Sequence, residues 1–314
     1  MTTAQDPTVQ RRRLCIELRR ARAAAKLKQQ EVAHTMDWSP SKLIRIERGQ
    51  VNISTNDLRA LLTYYGIKDK GRVNSLLDLA KSSREVSYYD RFTDVLKTGF
   101  REYLAYESSA SVIRQSDPIV IPGLLQTEEY GRVILDTAGH GPEEVNKNWD
   151  VRQHRQEVHD REDPPDMHFV LDEAAVRRHV GGHVMRRQLE RLREFAAQPH
   201  IHIQIVPFTH GAHPGMLGNF ILLEFAEPGL EDLVHLESVD QITVHDDPDV
   251  IARYLDRFLK VRDDPDVIAR YLDRFVKLEE LALTTDESKI ILDTLIEEML
   301  SSTDSTTSTE KMTA

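Results

Sequence analysis

The 314-residue chain has a single cysteine, Cys15, which excludes an internal disulfide framework and makes a reducing cytoplasm the expected location. No run of 18 apolar residues is present, so no membrane-spanning helix is expected. The N-terminal residues MTTAQDPTVQRRR have no apolar segment behind their charges, and no secretory leader is expected. The chain also lacks HExxH, CxxC and GxSxG, the spacings that commonly mark zinc and nucleophilic hydrolase sites. Gly181-Gly182 lacks the third glycine and the preceding strand of a dinucleotide loop. Asp172-Glu173 reads as a strand end capping a helix rather than an acid–base pair. His200 and His202 share a strand face, with His210 and His213 close behind, yet surface-strand histidines are common. No catalytic residue, metal or cofactor is assigned.

What is there is a chain long enough for two domains, 40% apolar and 30% charged, with a net charge of −11. That net charge taken alone argues against a nucleic-acid partner. Its distribution argues otherwise. Residues 1–85 hold 17 Lys and Arg against 9 Asp and Glu, a net of +8, while the remainder carries −19. A basic module joined to an acidic one can bind phosphates through the first alone.

Within the basic module, apolar residues recur at helical spacing between turn signals. Leu14, Leu18, Ala21 and Ala25 share one face of a first helix. A second runs from about Gln29 to Met36. In Ser39-Pro40-Ser41 the serine suits an N-cap and the proline the first helical position of a third helix ending near Arg48. Gly49 supplies the stop. Ser54 or Thr55 caps a fourth helix, and a fifth spans about Lys70 to Ser82. Two short helices joined by a tight turn form a helix-turn-helix layout. The third helix can present only Pro40, Ser41, Lys42, Ile44 and Arg45 to base edges. Arg45 is the best reader, since its planar fork can pair with guanine O6 and N7. Ser41 can donate to a base or phosphate, whereas Pro40 and Ile44 can touch only a thymine methyl or a sugar. Lys28 and Gln29 open the second helix, where free N–H groups and the helix dipole favour a phosphate. Ser39 is assigned both as the cap and as a member of the DNA-facing set.

The stretch LRRARAAAKLKQQEVAHTMDWSPSKLIRIERGQVNIS resembles the lambda-repressor-like, or Xre-family, DNA-binding domain. Gln29, Glu31, Ala33, Ser39, Ser41, Arg45, Glu47, Arg48 and Gly49 fall in register with it. Lys26 departs where the family often has glycine, and Ile44 where a small polar residue is common. The resemblance implies a backbone contact by Gln29 and a structural ion pair between Arg22 and Glu47.

Downstream, YYDRFTDVLKTGFREYLAY reads as helix, and the β-branched run SVIRQSDPIVIPG precedes a turn. Thr127 caps a helix, and residues 146–159 form another. MHFVL, HIHIQIVPF, GNFILLEF and Leu233–Ser238 read as strands, with an amphipathic helix from Met185 to Ala197. IPGLLQTEEY, VRQHRQEV, LDEAAVRRHVGG, MRRQLERL and IQIVPF resemble the C-terminal domain of many actinobacterial Xre-type regulators. That domain is often labelled antitoxin-like, and the resemblance implies a small partner protein. DDPDVIARYLDRF occurs at 246–258 and again, letter for letter, at 263–275. Each copy encodes one amphipathic helix, and the family pattern calls for one, so the second reads as a local duplication.

The expected fold is multi-domain. A disordered 1–10 precedes an all-α lambda-repressor-like helix-turn-helix domain at 11–85. An α+β domain follows at 86–300, with a disordered tail at 301–314. The expected function is sequence-specific binding of double-stranded DNA by a repressor or antitoxin-like regulator acting as a homodimer. The C-terminal domain then mediates dimerisation or binds a small partner protein. The alternative is a DNA-binding sensor whose C-terminal domain takes a small ligand or has an unrecognised enzymatic activity.

Overall fold

The computed structural model describes residues 6–139, 141–227, 230–236 and 264–310, with residues 302–310 described by backbone alone. It divides into two compact units. The first comprises residues 1–93, 100–109 and 225–231, and the second 94–99, 110–224 and 232–314.

The first unit is helical: α1 (Pro7–Ala24), α2 (Gln29–Thr35), α3 (Pro40–Glu47), α4 (Thr55–Tyr64), α5 (Lys70–Ser82) and α6 (Thr98–Glu107), the first two residues of α6 falling in the second unit. One apolar core joins Leu14, Leu18, Val32, Leu43, Ile46, Leu58, Leu61, Leu62 and Leu76. α1 starts earlier than the charge pattern indicates. Asp6 caps it by accepting the Thr8 N–H at 2.8 Å, so residues 6–10, expected to be disordered, are ordered. The reason is a second apolar face on α1. Val9 and Ile16 are buried against Leu230, Tyr106 and Phe225, which brings two later segments into the N-terminal unit. Arg12 lies over the rings of Tyr106 and Phe225.

α1, α2, α3 and α4 all end in the same way, with paired bonds from the first two post-cap N–H groups back to the last turn. That geometry needs a left-handed residue, supplied by Lys26 (φ 57°), Asp37 (φ 54°), Gly49 (φ 71°) and Gly66 (φ 78°). A glycine would be unstrained at the first two as well.

The second unit holds a five-stranded mixed sheet of β1 (Val112–Asp117), β2 (Asp166–Asp172), β3 (Ile201–Val206), β4 (Phe220–Glu224) and β5 (Leu233–His235). The strand order is β3-β2-β1-β4-β5; β1–β2 and β2–β3 pair parallel, β1–β4 and β4–β5 antiparallel. The parallel connections carry α7 (Glu128–Thr137), α8 (Pro142–Gln156), α9 (Glu173–Arg177) and α10 (Gly182–Phe195). Two further helices follow, α11 (Pro265–Leu281) and α12 (Thr285–Glu310). Alternation along the strands gives one face that is almost wholly apolar, with Ile113, Met167, Phe169, Ile203 and Leu223 buried. The other face buries Val170, Val206, Phe220, Leu222 and Val234 under Phe275 and Leu278 of α11.

The segment 121–127, part of IPGLLQTEEY, is held by side chains rather than by regular structure. Gln126 donates to the Ile121 carbonyl, Gln156 to those of Gly123 and Gln126, and Gln188 to that of Leu125. Gln188 also accepts the Thr127 N–H. Buried backbone groups outside a ladder need such partners. Gly131 faces Trp149 so closely that a Cβ would stand 2.6 Å from its ring.

The second repeat copy therefore forms α11 and docks on the sheet, while the first copy, at 246–258, lies outside the described residues. α12 continues to Glu310, so residues 301–310, expected to be unstructured, are helical; 311–314 lie outside the described residues. Among the described residues no helix is long and apolar enough to cross a membrane.

Candidate nucleic-acid interface

α2 and α3 are joined by Met36–Ser39, with Asp37 in the left-handed region. Ser39 caps α3, its Oγ accepting the Lys42 N–H at 3.2 Å, and Pro40 occupies the first turn. Leu43, Ile46 and Glu47 point inward. Ser41, Ile44, Arg45 and Arg48 recur at i, i+3, i+4 and i+7 and form the opposite stripe. Ser41, Arg45 and Arg48 are exposed and Ile44 is half-buried. Among the described residues the guanidinium groups of Arg45 and Arg48 have no partner, so both are available to an incoming ligand. Arg48 lies one turn beyond the positions that sequence reasoning singled out.

The buried side of α3 is locked by a carboxylate. Arg22 Nε donates to Glu47 Oε1 at 2.7 Å and Arg22 Nη2 to Oε2 at 3.1 Å, in the two-pronged geometry expected of a guanidinium. Glu47 is 1% exposed. The pairing raises the Arg22 pKa above its usual value, the hydrogen bond to Glu47 being the main cause. Gln29 joins the network, donating from Nε2 to Glu47 Oε2 at 2.7 Å. One of its two amide hydrogens is therefore committed inside the domain, and only the other can reach a phosphate.

Lys42 is also committed. Its ammonium is 3.2 Å from Asp57 Oδ2 and 4.1 Å from the centre of the Trp38 ring. This ties α3 to α4 and draws the charge away from the exposed stripe. Trp38 and Lys42 are one turn apart in sequence, whereas Asp57 comes from another helix, so the pairing has no local signature. Lys28 is exposed, but its backbone N–H already donates to Glu31 Oε2 at 2.8 Å. A carboxylate thus sits at the start of α2, where a phosphate was expected. Ser39 Oγ and Ser41 Oγ lie 3.0 Å apart, and Pro40 is exposed.

Cys15 is buried, donates to the Ile46 carbonyl, and its Sγ would be 3.3 Å from a Cβ placed on Gly49. Burial pushes its thiol up to about 11. In the second unit, Asp172 caps α9 by accepting the Ala174 N–H at 2.7 Å and binds His213 Nε2 at 2.8 Å.

Residues 13–74 match a family model described as a helix-turn-helix domain. Residues 100–263 match a second one, described as a domain of unknown function, DUF5753. That second match ends before α11, so it includes the first repeat copy and stops at the start of the second. No curated protein and no solved structure matches the chain. The helix-turn-helix match supports a DNA-binding regulator.

Proposed function

The chain belongs to the DUF5753 family, and we propose that it is an Xre-type, sequence-specific transcriptional regulator acting as a repressor or antitoxin-like switch. The observation that carries the reading is the stripe Ser41, Ile44, Arg45 and Arg48 on α3, backed by the buried Arg22–Glu47–Gln29 network. Arg45 reads a guanine edge, Ser41 a base or phosphate, and Pro40 and Ile44 a thymine methyl or sugar. Lys28 and Gln29 approach the backbone at the start of α2, Gln29 through its second amide hydrogen. Ser39 and Lys42 serve chiefly to hold the recognition helix, one as cap and the other as tie to α4. The protein acts as a homodimer on half-sites separated by one helical turn or a multiple of it.

The second unit receives a small partner protein or mediates dimerisation, and carries no catalytic role. The exposed Phe208, Met216 and Leu217 in the β3–β4 connection support that reading, since apolar side chains of this size left on one loop invite a partner. A pull-down of tagged full-length protein with sheared genomic DNA tests the proposal. A small set of loci sharing an inverted-repeat sequence supports it, and uniform recovery of the genome refutes it.

A further inference from the structure

On the sheet face covered by α11, three metal-ligating side chains meet in a way the sequence pattern does not indicate. Asp166 and His168 are two residues apart on β2 and therefore share a face, and His202 stands directly opposite His168 across the β2–β3 ladder. His168 Nε2 and His202 Nε2 each lie 3.1 Å from the Asp166 carboxylate, one on each oxygen. The two rings stack with centres 4.6 Å apart. One ligand atom from each residue falls within 4.8 Å of the others. Glu279 of α11 completes the arrangement, its Oε1 standing 3.4 Å from His168 Nδ1. Carboxylates therefore face both ring nitrogens of His168, Asp166 at Nε2 and Glu279 at Nδ1, so an ion that displaces the Nε2 proton leaves Nδ1–H donating to Glu279.

We propose that Asp166, His168 and His202 bind a first-row divalent transition-metal ion of the Zn2+ class, with Glu279 as the outer carboxylate that orients His168. Two imidazole nitrogens and one carboxylate oxygen are a borderline donor set, suited to Zn2+ and unsuited to Mg2+ or Ca2+, which take oxygen ligands. Tetrahedral ligands about 2.0–2.1 Å from an ion stand about 3.3 Å from one another; the two histidines meet different oxygens of Asp166, so an ion held by one of those oxygens draws together ligand atoms that now lie within 4.8 Å of one another. Asp166 and Glu279 together match the charge of the ion. The nearest cation in the same row, Arg114, is neutralised by Glu224 at 2.6 Å. His168, His202 and Asp166 are all partly exposed, which leaves the fourth position open to water and gives the ion a path in. Loading joins β2 to β3 and, through Glu279, both strands to α11.

Calorimetry and thermal unfolding of metal-free full-length protein with Zn2+ alone test this. The expected result is one equivalent of Zn2+ per chain and a raised Tm, with no response to Mg2+. His202→Gln and Asp166→Asn, at partly exposed positions on two different strands, each abolish the binding. Glu279→Gln keeps the stoichiometry with about 10- to 100-fold weaker affinity, and His210→Gln, an exposed histidine outside the cluster, binds as the native chain does. Absence of stoichiometric Zn2+ binding, or binding that survives both His202→Gln and Asp166→Asn, overturns the proposal.

Discussion

Glu47 organises the recognition helix although it can touch no phosphate. Its carboxylate accepts from Arg22 twice and from Gln29 once, and it is almost fully buried. Removing one partner of such a pair leaves an uncompensated charge, so Glu47→Ala is expected to cost about 3–5 kcal/mol. Denaturant unfolding of the full chain measures it; a loss below about 1 kcal/mol would mean that the network adds little to the fold. Cys15 gives a second residue-scale prediction. With its thiol raised to about 11 and its side chain buried, it should react with a thiol reagent at pH 7–8 only as the domain unfolds. Prompt labelling of the native protein contradicts the burial described for it.

At the scale of elements, the helix ends show what a sequence can and cannot disclose. Ser39 and Thr127 were legible as caps, and the cap of α4 as Ser54 or Thr55, of which the structure uses Ser54, because the cap is a local device whose partner lies three residues away. Lys26 was legible as a departure from the domain the stretch resembles, and its φ of 57° is one that glycine adopts without strain. Lys26→Gly relieves left-handed strain but loosens the unfolded chain, for an expected net gain of about 0.5–1 kcal/mol. An unchanged or lowered Tm would show that Lys26 is held by something other than backbone geometry. The strands were legible from alternation, but their register was not. The meeting of Asp166, His168 and His202 depends on the pairing of β2 with β3, and the tie of Lys42 to Asp57 on the packing of α3 against α4. Both depend on contacts between segments separated in the chain, which composition and periodicity do not encode. The repeat is a further case. The two copies are identical in sequence, and α11, built from the second, packs Tyr271 and Phe275 on the sheet while Leu272 is exposed. Deleting residues 246–262 removes one full period and leaves the docked helix its whole sequence. Tm and DNA affinity are therefore expected to stay as they are, and a clear fall in either would assign the first copy a role of its own.

Over the whole molecule, the net charge of −11 is the sum of a basic N-terminal stretch and an acidic remainder. Part of the positive charge is already matched within the first unit. Arg22 is paired with Glu47, Lys42 with Asp57 and Arg72 with Glu17. Arg45 and Arg48 on α3, with Lys26 and Lys28 before α2, are exposed and have no side-chain partner among the described residues. DNA affinity should therefore depend on a few cations and fall only modestly with salt, each phosphate contact contributing about 0.9 to the slope. Lys28→Ala is expected to weaken all sequences alike and lower that slope by about 1. The measurement that tests the central claim most directly is selection from a random duplex pool by the native chain and by Arg45→Ala, followed by affinities for the winning sequence and its single-base variants. The account predicts one enriched motif containing a guanine whose replacement costs the native chain about 1–3 kcal/mol and costs Arg45→Ala almost nothing. An unenriched pool, or the same base preferences in both proteins, would contradict it.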